Sequence, residues 1–348
     1  MPRLKEVPAL APRWRMEIDD FVVAVAWSTD GNYLAAAAAS GEVVLLDATG
    51  AALHRLDHAG GTLCLAWSPA DRLLATGGQD GMVRLWEPTT GRQVAVLEGG
   101  SAWVEHVAWS DAPYLLATAA GRHLKFWTAE GTLLYVADPP HASTVSGLLW
   151  QSHLKRFVSS CYGEVRLHAP LKAQPVDIFE YRGSLIALSA SPDGTHIACG
   201  CQDASVHVWQ SETGEDLQMN GYSVKVRELA WDSRGRLLAT GGGPDITVWD
   251  FSGRGPSGQQ PRVLSAHSKQ VSALAFQHRG PLLATGGQDG SVVIWNPLKS
   301  TKPLGVARTA DSVAAIAWHP ADQVFVTGHA SGELSAWKPP TEGRGFGT

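Results

Sequence analysis

The sequence predicts an all-β chain made of small four-stranded antiparallel sheets, repeated along its length and stacked about a common axis. Three observations carry this reading. The nine residues "LLATGGQDG" at 73–81 recur unchanged at 282–290. The longer stretch "AWSPADRLLATGGQDGMVRLWE" (66–87) lays over seven other stretches, giving eight units whose closing positions lie 40 to 46 residues apart. Within a unit, runs such as "TLCLAWS", "RLLATGG" and "GMVRLWE" are short, rich in β-branched or aromatic residues, and separated by Ser-Pro, Asp-Gly or Gly-Gly turns. A fourth run, such as "QVAVLEG", falls between one closing position and the next unit. A sheet so small buries both faces only when neighbouring sheets stack on it.

In chain order, unit one reads "AWSTDGNYLAAAAASGEVVLLD" and closes on Leu46, and unit two closes on Trp86. Unit three runs from Ala108 to Trp127, and unit four from Leu149 to His168, without a closing tryptophan. Unit five begins at Ser189 and closes on Trp209, and unit six runs from Ala230 to Trp249. Units seven and eight close on Trp295 and Trp337. The long spacing before Trp295 comes from "GRGPSG" (253–258), which fits the dinucleotide pattern G-x-G-x-x-G. "QQPRV" then leads into the next strand rather than a helix, so a pyrophosphate would find no helix N-terminus and the segment reads as a loop.

The Ser-Pro-Asp-Gly turn (191–194), the Leu-Ala-Thr-Gly-Gly-x-Asp-Gly turn and the closing tryptophan resemble those of WD-repeat β-propellers over residues 13–338. The resemblance implies an eight-bladed propeller of four-stranded antiparallel blades. It would form a single domain over 13–338, after an N-terminal extension (1–12) and before a flexible Gly/Pro tail (339–348). The residues after Trp337, "KPPTEGRGFGT", cannot supply a fourth strand, whereas "RWRMEID" (13–19) can. The N-terminal strand is therefore expected to join the last blade and close the ring.

Composition narrows the function classes. The net charge is −5 and no run of five like charges occurs, which argues against nucleic acid as a partner. The longest apolar run is too short to span a bilayer, and prolines interrupt the N-terminus where a signal peptide needs apolar continuity. Four cysteines make no disulfide framework, so a reducing, cytoplasmic setting is expected. The chain has no G-x-S-x-G, no H-E-x-x-H and no phosphate loop, and Cys199 and Cys201 lack a second ligand pair for zinc. No catalysis, cofactor or metal is expected.

The fourteen tryptophans sort by position. Trp27, Trp67, Trp109, Trp150, Trp231 and Trp318 end first strands, six more close third strands, and Trp14 falls in the ring-closing strand. Trp103 fits no framework place. It immediately precedes the first strand of unit three, where other units hold Phe21, Gly61, Lys225 or Gln270. The family resemblance implies structural tetrads of His58, Thr76, Asp80 and Trp86 in unit two and of His267, Thr285, Asp289 and Trp295 in unit seven. Unit five has Tyr181 and unit six Tyr222 at the histidine position; units one and four are expected to hold mainly by packing. The glutamines preceding the turn aspartate, Gln79, Gln202 and Gln288, would look toward the docking face. First strands carry small or apolar residues near their start except Glu105–His106 in unit three and Arg227–Glu228 in unit six. The expected function is a non-catalytic scaffold or adaptor that docks a peptide or partner domain. Trp103 would be its anchor, with Gln79, Gln202, Gln288, Lys225, Arg227, Glu105 and Gln270 around it. The alternative is a propeller enzyme or metal-handling protein in which Glu105, His106, Arg227 and Glu228 converge on a ligand in the central channel.

Overall fold

The computed structural model describes residues 7–70, 72–253 and 255–340. Each repeat folds as a meander because its strands are short and their connections are turn sequences. Unit one is typical: Val22–Trp27, Tyr33–Ala38, Glu42–Asp47 and Ala52–Asp57 pair in sequence order, all antiparallel. Its first turn is closed by Asp30, which accepts the Ser28 hydroxyl at 2.7 Å, with Gly31 in the left-handed region at φ 75°.

Strand alternation explains how both faces are buried. Ala35, Ala37, Val43 and Leu45 of unit one pack against Trp67, Leu74 and Trp86 of unit two. Their alternate neighbours Leu34, Ala36, Ala38, Val44 and Leu46 pack against Val324, Val326 and Leu334 of unit eight. The core is thus a series of apolar layers between successive sheets. Outer strands such as Arg92–Glu98 stay largely exposed at the circumference.

Ring closure is visible in the pairing. Pro12–Glu17 is hydrogen-bonded antiparallel to Glu333–Trp337 as the outermost strand of the last sheet. Across the same seam, His319 Nε2 lies 3.2 Å from the Gly31 carbonyl, and the Trp27 and His319 rings meet edge-on at 4.8 Å. Of the expected N-terminal extension and tail, residues 1–6 and 341–348 lie outside the described residues.

The expectation of eight separate blades is corrected. The described residues form seven sheets, hence seven blades: six of four strands and one of six. The eight sequence units are distributed over seven sheets because units four and five share one. The long strand Arg156–His168 pairs through 156–160 with Gly147–Gln151 and through 164–167 with the next strand, Asp177–Ala190. That strand pairs backward through 177–180 and forward through 185–190 with His196–Cys201. At other junctions Pro, Gly or Asp clusters such as "DPPHAS" break the chain between an outer strand and the next first strand. "EYRGSL" (180–185) contains one glycine and no proline, and it remains extended.

Candidate functional site: the strand-start face

The first strand of most units begins with a β-bulge. Its register shifts at Val22/Ala24, Thr62/Cys64, Val104/His106, Leu185/Ala187, Val271/Ala273 and Val313/Ala315. The residue skipped in unit three is Glu105, and an unpaired bulge residue re-aims its side chain. Glu105 is exposed and His106 half-buried. In unit six, Arg227 is exposed and its N–H reaches the Gly241 carbonyl, the residue that also pairs with Glu228.

Backbone bonds set strand starts and turns side by side. The N–H of Gln79 donates to Gly61, that of Gln202 to Ser184, that of Gln288 to Gln270, and that of Ala39 to Phe21. The glutamines and the residues opening the first strands therefore share one face. Gln79, Gln202 and Gln288 are exposed, and Gln270 and Lys225 are half-buried. The loop before Trp103 is wedged between two turns: a Cβ at Gly81 would lie 3.1 Å from the Ala102 carbonyl oxygen, and one at Gly121 would lie 3.1 Å from Ala102 Cβ. Trp103 itself is 54% exposed, too much for a ring laid flat into a neighbouring sheet, and Phe21 is 41% exposed at the equivalent place in unit one.

Beneath this face lie the tetrads. In unit two Trp86 Nε1 donates to Thr76 Oγ1 at 2.9 Å, and Thr76 meets His58 Nδ1 at 2.7 Å. His58 Nε2 lies 3.3 Å from Asp80. The carboxylate can only accept, so Nε2 carries the proton and Thr76 donates to Nδ1. Burial, with Arg84 adding, pushes the His58 pKa down to about 4 against the pull of Asp80. In unit seven the imidazole is reversed: Nε2 meets Thr285 at 2.8 Å, Nδ1 meets Asp289 at 3.5 Å, and Trp295 donates to Thr285 at 3.0 Å. Burial alone would raise the Asp289 carboxyl, but hydrogen bonds from Ser268 and Ser291 hold it well below the usual range.

Three framework features escape the repeat pattern. Unit four is not held by packing alone: Ser159 Oγ lies 3.0 Å from both His141 Nε2 and His168 Nε2, so His168 occupies the place of the missing tryptophan. Unit eight draws its histidine from within its second strand, His329, 2.8 Å from Thr327, to which Trp337 also donates. Trp67, Trp109 and Trp318 each donate their indole N–H to a carbonyl of the preceding unit, those of Ala26, Ala66 and Ala275. The recurring Ala-Trp dipeptide was the available signal for that last stitch. His329 stands at the end of the second strand rather than before the first, where the repeat carries no matching histidine.

Among the described residues, no hydrogen bond or ion pair links Glu105 or His106 to Arg227 or Glu228. Burial lowers the His106 pKa to about 4 and raises that of Glu228 to about 7, the latter partly offset by Arg227. Among the described residues one potential ligand group occurs elsewhere: His141, Cys161 and Glu164, with donor atoms within 4.8 Å of one another. Arg166 already sits 2.8 Å from Glu164 Oε1, and both His141 nitrogens are engaged. A cation there would compete with a guanidinium for the same oxygen. Cys199 and Cys201 are buried free thiols whose pKa values burial raises.

The WD40 family model (WD domain, G-beta repeat) matches residues 50–87, 91–128, 174–210 and 258–296. The chain carries WD40 repeats. Units one and four, which close on Leu46 and His168, fall outside the matched segments, as do units six and eight. Among curated proteins it is similar to the APC/C activator protein CDH1 of Saccharomyces cerevisiae, 28% identical over 42% of this chain and 27% of that one. It is similar to WD repeat-containing protein 1 of Gallus gallus, 27% identical over 60% of this chain and 37% of that one. Protein tipD of Dictyostelium discoideum is 24% identical over 79% of this chain and 46% of its own length. The chain spans less than half the length of each of these relatives. A solved structure, the computationally designed Ika8 protein, superposes with a TM-score of 0.79 over 93% of this chain and 98% of that one at 23% identity, a likeness of fold alone. WD40 propellers generally act as protein-interaction scaffolds rather than catalysts.

Proposed function

We propose that this WD-repeat propeller is a non-catalytic scaffold that docks a peptide or partner domain on its strand-start face. The observation that carries the reading is Trp103, 54% exposed at the opening of a first strand, among exposed glutamines on the same face. A large aromatic left in water at a rigid rim is the kind of group that dominates interface energies. Glutamine, both donor and acceptor, suits peptide amides. The hydrogen-bonded strands beneath hold these groups in place before binding, so little ordering entropy opposes association. The relatives fit without specifying a partner: one is named as an activator of APC/C, and others only as repeat proteins.

The test is affinity capture with the full chain and its Trp103→Ala form, followed by titration of whatever the wild type retains. Loss of about 2 kcal/mol in affinity is expected if Trp103 is the anchor. An unchanged affinity would move the site off this part of the face.

A further inference from the structure

We propose that the seam between units seven and eight holds a binding site for one carboxylate of a partner, an aspartate or glutamate side chain of an acidic peptide. The site lies on the strand-end face, opposite the strand-start face, and does not rest on the docking role given to Trp103.

The cleft exists because a separate stretch of chain closes the last blade. In other units a tight turn joins the third strand to the fourth, and the residue after the closing position caps it. Asp47 accepts the Thr49 N–H at 2.8 Å, and Asp250 accepts that of Ser252 at 2.9 Å. Gln210 accepts the Thr213 N–H at 2.7 Å, and Glu87 accepts the Thr90 hydroxyl at 2.7 Å. Unit eight has no such turn: its third strand runs out at Trp337 and its fourth enters at Pro12. The residue after Trp337 is Lys338, the only cation at this position in the eight units. With no turn to fill the corner, a cleft of about 580 Å³ opens there. It is lined in part by Arg13 and Lys338 of the last sheet, by Pro281 and Leu282 of unit seven, and by Asp322 and Pro340.

The charge of the lining fits such a group. Arg13 is the residue skipped where the pairing shifts between Pro12 and Trp14, and a bulge re-aims the side chain it leaves unpaired. Arg13 and Lys338 are both exposed, and neither side chain makes a hydrogen bond or ion pair among the described residues. Asp322 is the only acid among the lining residues, and its oxygens are occupied. Oδ1 accepts the His278 N–H at 2.8 Å, and Oδ2 accepts those of Arg279 at 2.8 Å and Gly280 at 3.0 Å. Asp322 thus organises the turn of unit seven rather than pairing with either cation. Two positive groups against one negative leave a net charge of +1, which one partner carboxylate neutralises and a phosphate dianion would overshoot. A carboxylate offers acceptors only, which suits a guanidinium and an ammonium, and hydrogen bonds between charged groups are the stronger kind. Leu282, 5% exposed, and the prolines beside it give the methylene stem an apolar floor.

The probe is a labelled glycine–serine peptide with a central leucine–glutamate pair, compared with the same peptide carrying glutamine or phosphoserine in place of the glutamate. Binding is read by anisotropy and by the Lys338 amide resonance, at about 0.15 M salt so that the chain's net charge of −5 is screened. The full chain should prefer the glutamate over the glutamine peptide by roughly fivefold, a modest ratio because the pairs are exposed. Lys338→Asp places there the residue type that units one and six carry at this position. It should abolish the preference and melt as the wild type does. Arg13→Gln should reduce the preference without lowering the melting temperature, since its guanidinium has no partner to lose. Trp103→Ala should leave the preference within about twofold, as expected for distant sites. Equal binding of the glutamate and glutamine peptides by the full chain, or an undiminished preference in Lys338→Asp, overturns the proposal. Tighter binding of the phosphoserine peptide would make this a phosphate site and overturn the carboxylate. Glu342 follows Lys338 in the chain and lies outside the described residues. A preference that emerges only in Glu342→Gln would make this chain's own tail the occupant and overturn a partner.

Discussion

Thr76 illustrates how one hydroxyl organises a blade. It accepts from Trp86, donates to His58, and through His58 reaches Asp80, with Thr76, His58 and Trp86 all buried. Thr76→Val keeps the shape and strands the indole N–H and the imidazole Nδ1, so chemical denaturation should show a loss of about 1–3 kcal/mol. Glu228 is the opposite case, a carboxyl that no hydrogen bond engages among the described residues and whose burial only Arg227 offsets. Burial lifts its pKa to about 7, so its charged form is the penalised one. Glu228→Gln should therefore raise the melting temperature at pH 8, and the gain should shrink toward pH 5, where Glu228 is itself neutral. A gain independent of pH would point to packing rather than charge.

At the scale of the strand, the ring-closing segment is the critical element. Pro12–Glu17 covers the open edge of Glu333–Trp337, and Trp14 lies so close over Gly50 that a Cβ there would come within 2.5 Å of its ring. Deleting residues 1–17 exposes that edge and strips one wall from the layer holding Ile18, Leu334 and Ala336. The truncated chain should melt well below the full one and aggregate more readily; equal melting temperatures would show that the strand is dispensable. Strand identity was legible because short runs rich in β-branched or aromatic residues, bounded by turn residues, mark the inner strands. The joined sheet of units four and five was not. Repeat counting sees units, while the seam depends on whether four residues, Tyr181–Ser184, stay extended, and their composition only permits this.

Across the whole molecule, what could be read from sequence was the framework and the places that deviate from it. Trp103 stood out because periodicity had no use for it, and its exposure keeps it in view as an anchor. The buried histidines act together. Burial lowers His58, His106 and His141 to about 4 and His168 to about 3, and it also lowers His267 and His329. In the unfolded chain each titrates near 6.5. Between those values the unfolded state binds more protons, so the histidines' contribution is complete above about pH 6.5 and is lost as pH falls toward 4. Glu228 opposes this, because protonation below pH 7 relieves its cost, but it is one group against six. The lowered turn carboxylates Asp80 and Asp289 lose their contribution only below the ordinary aspartate range. Thermal melts at constant ionic strength should therefore fall by several degrees from pH 7 to pH 5. Replacing Glu228 by glutamine should steepen the fall, because it removes a group whose protonation opposes it. A melting temperature flat across that interval would mean that the imidazoles are solvated and titrate normally, and that the tetrads are looser than their distances state.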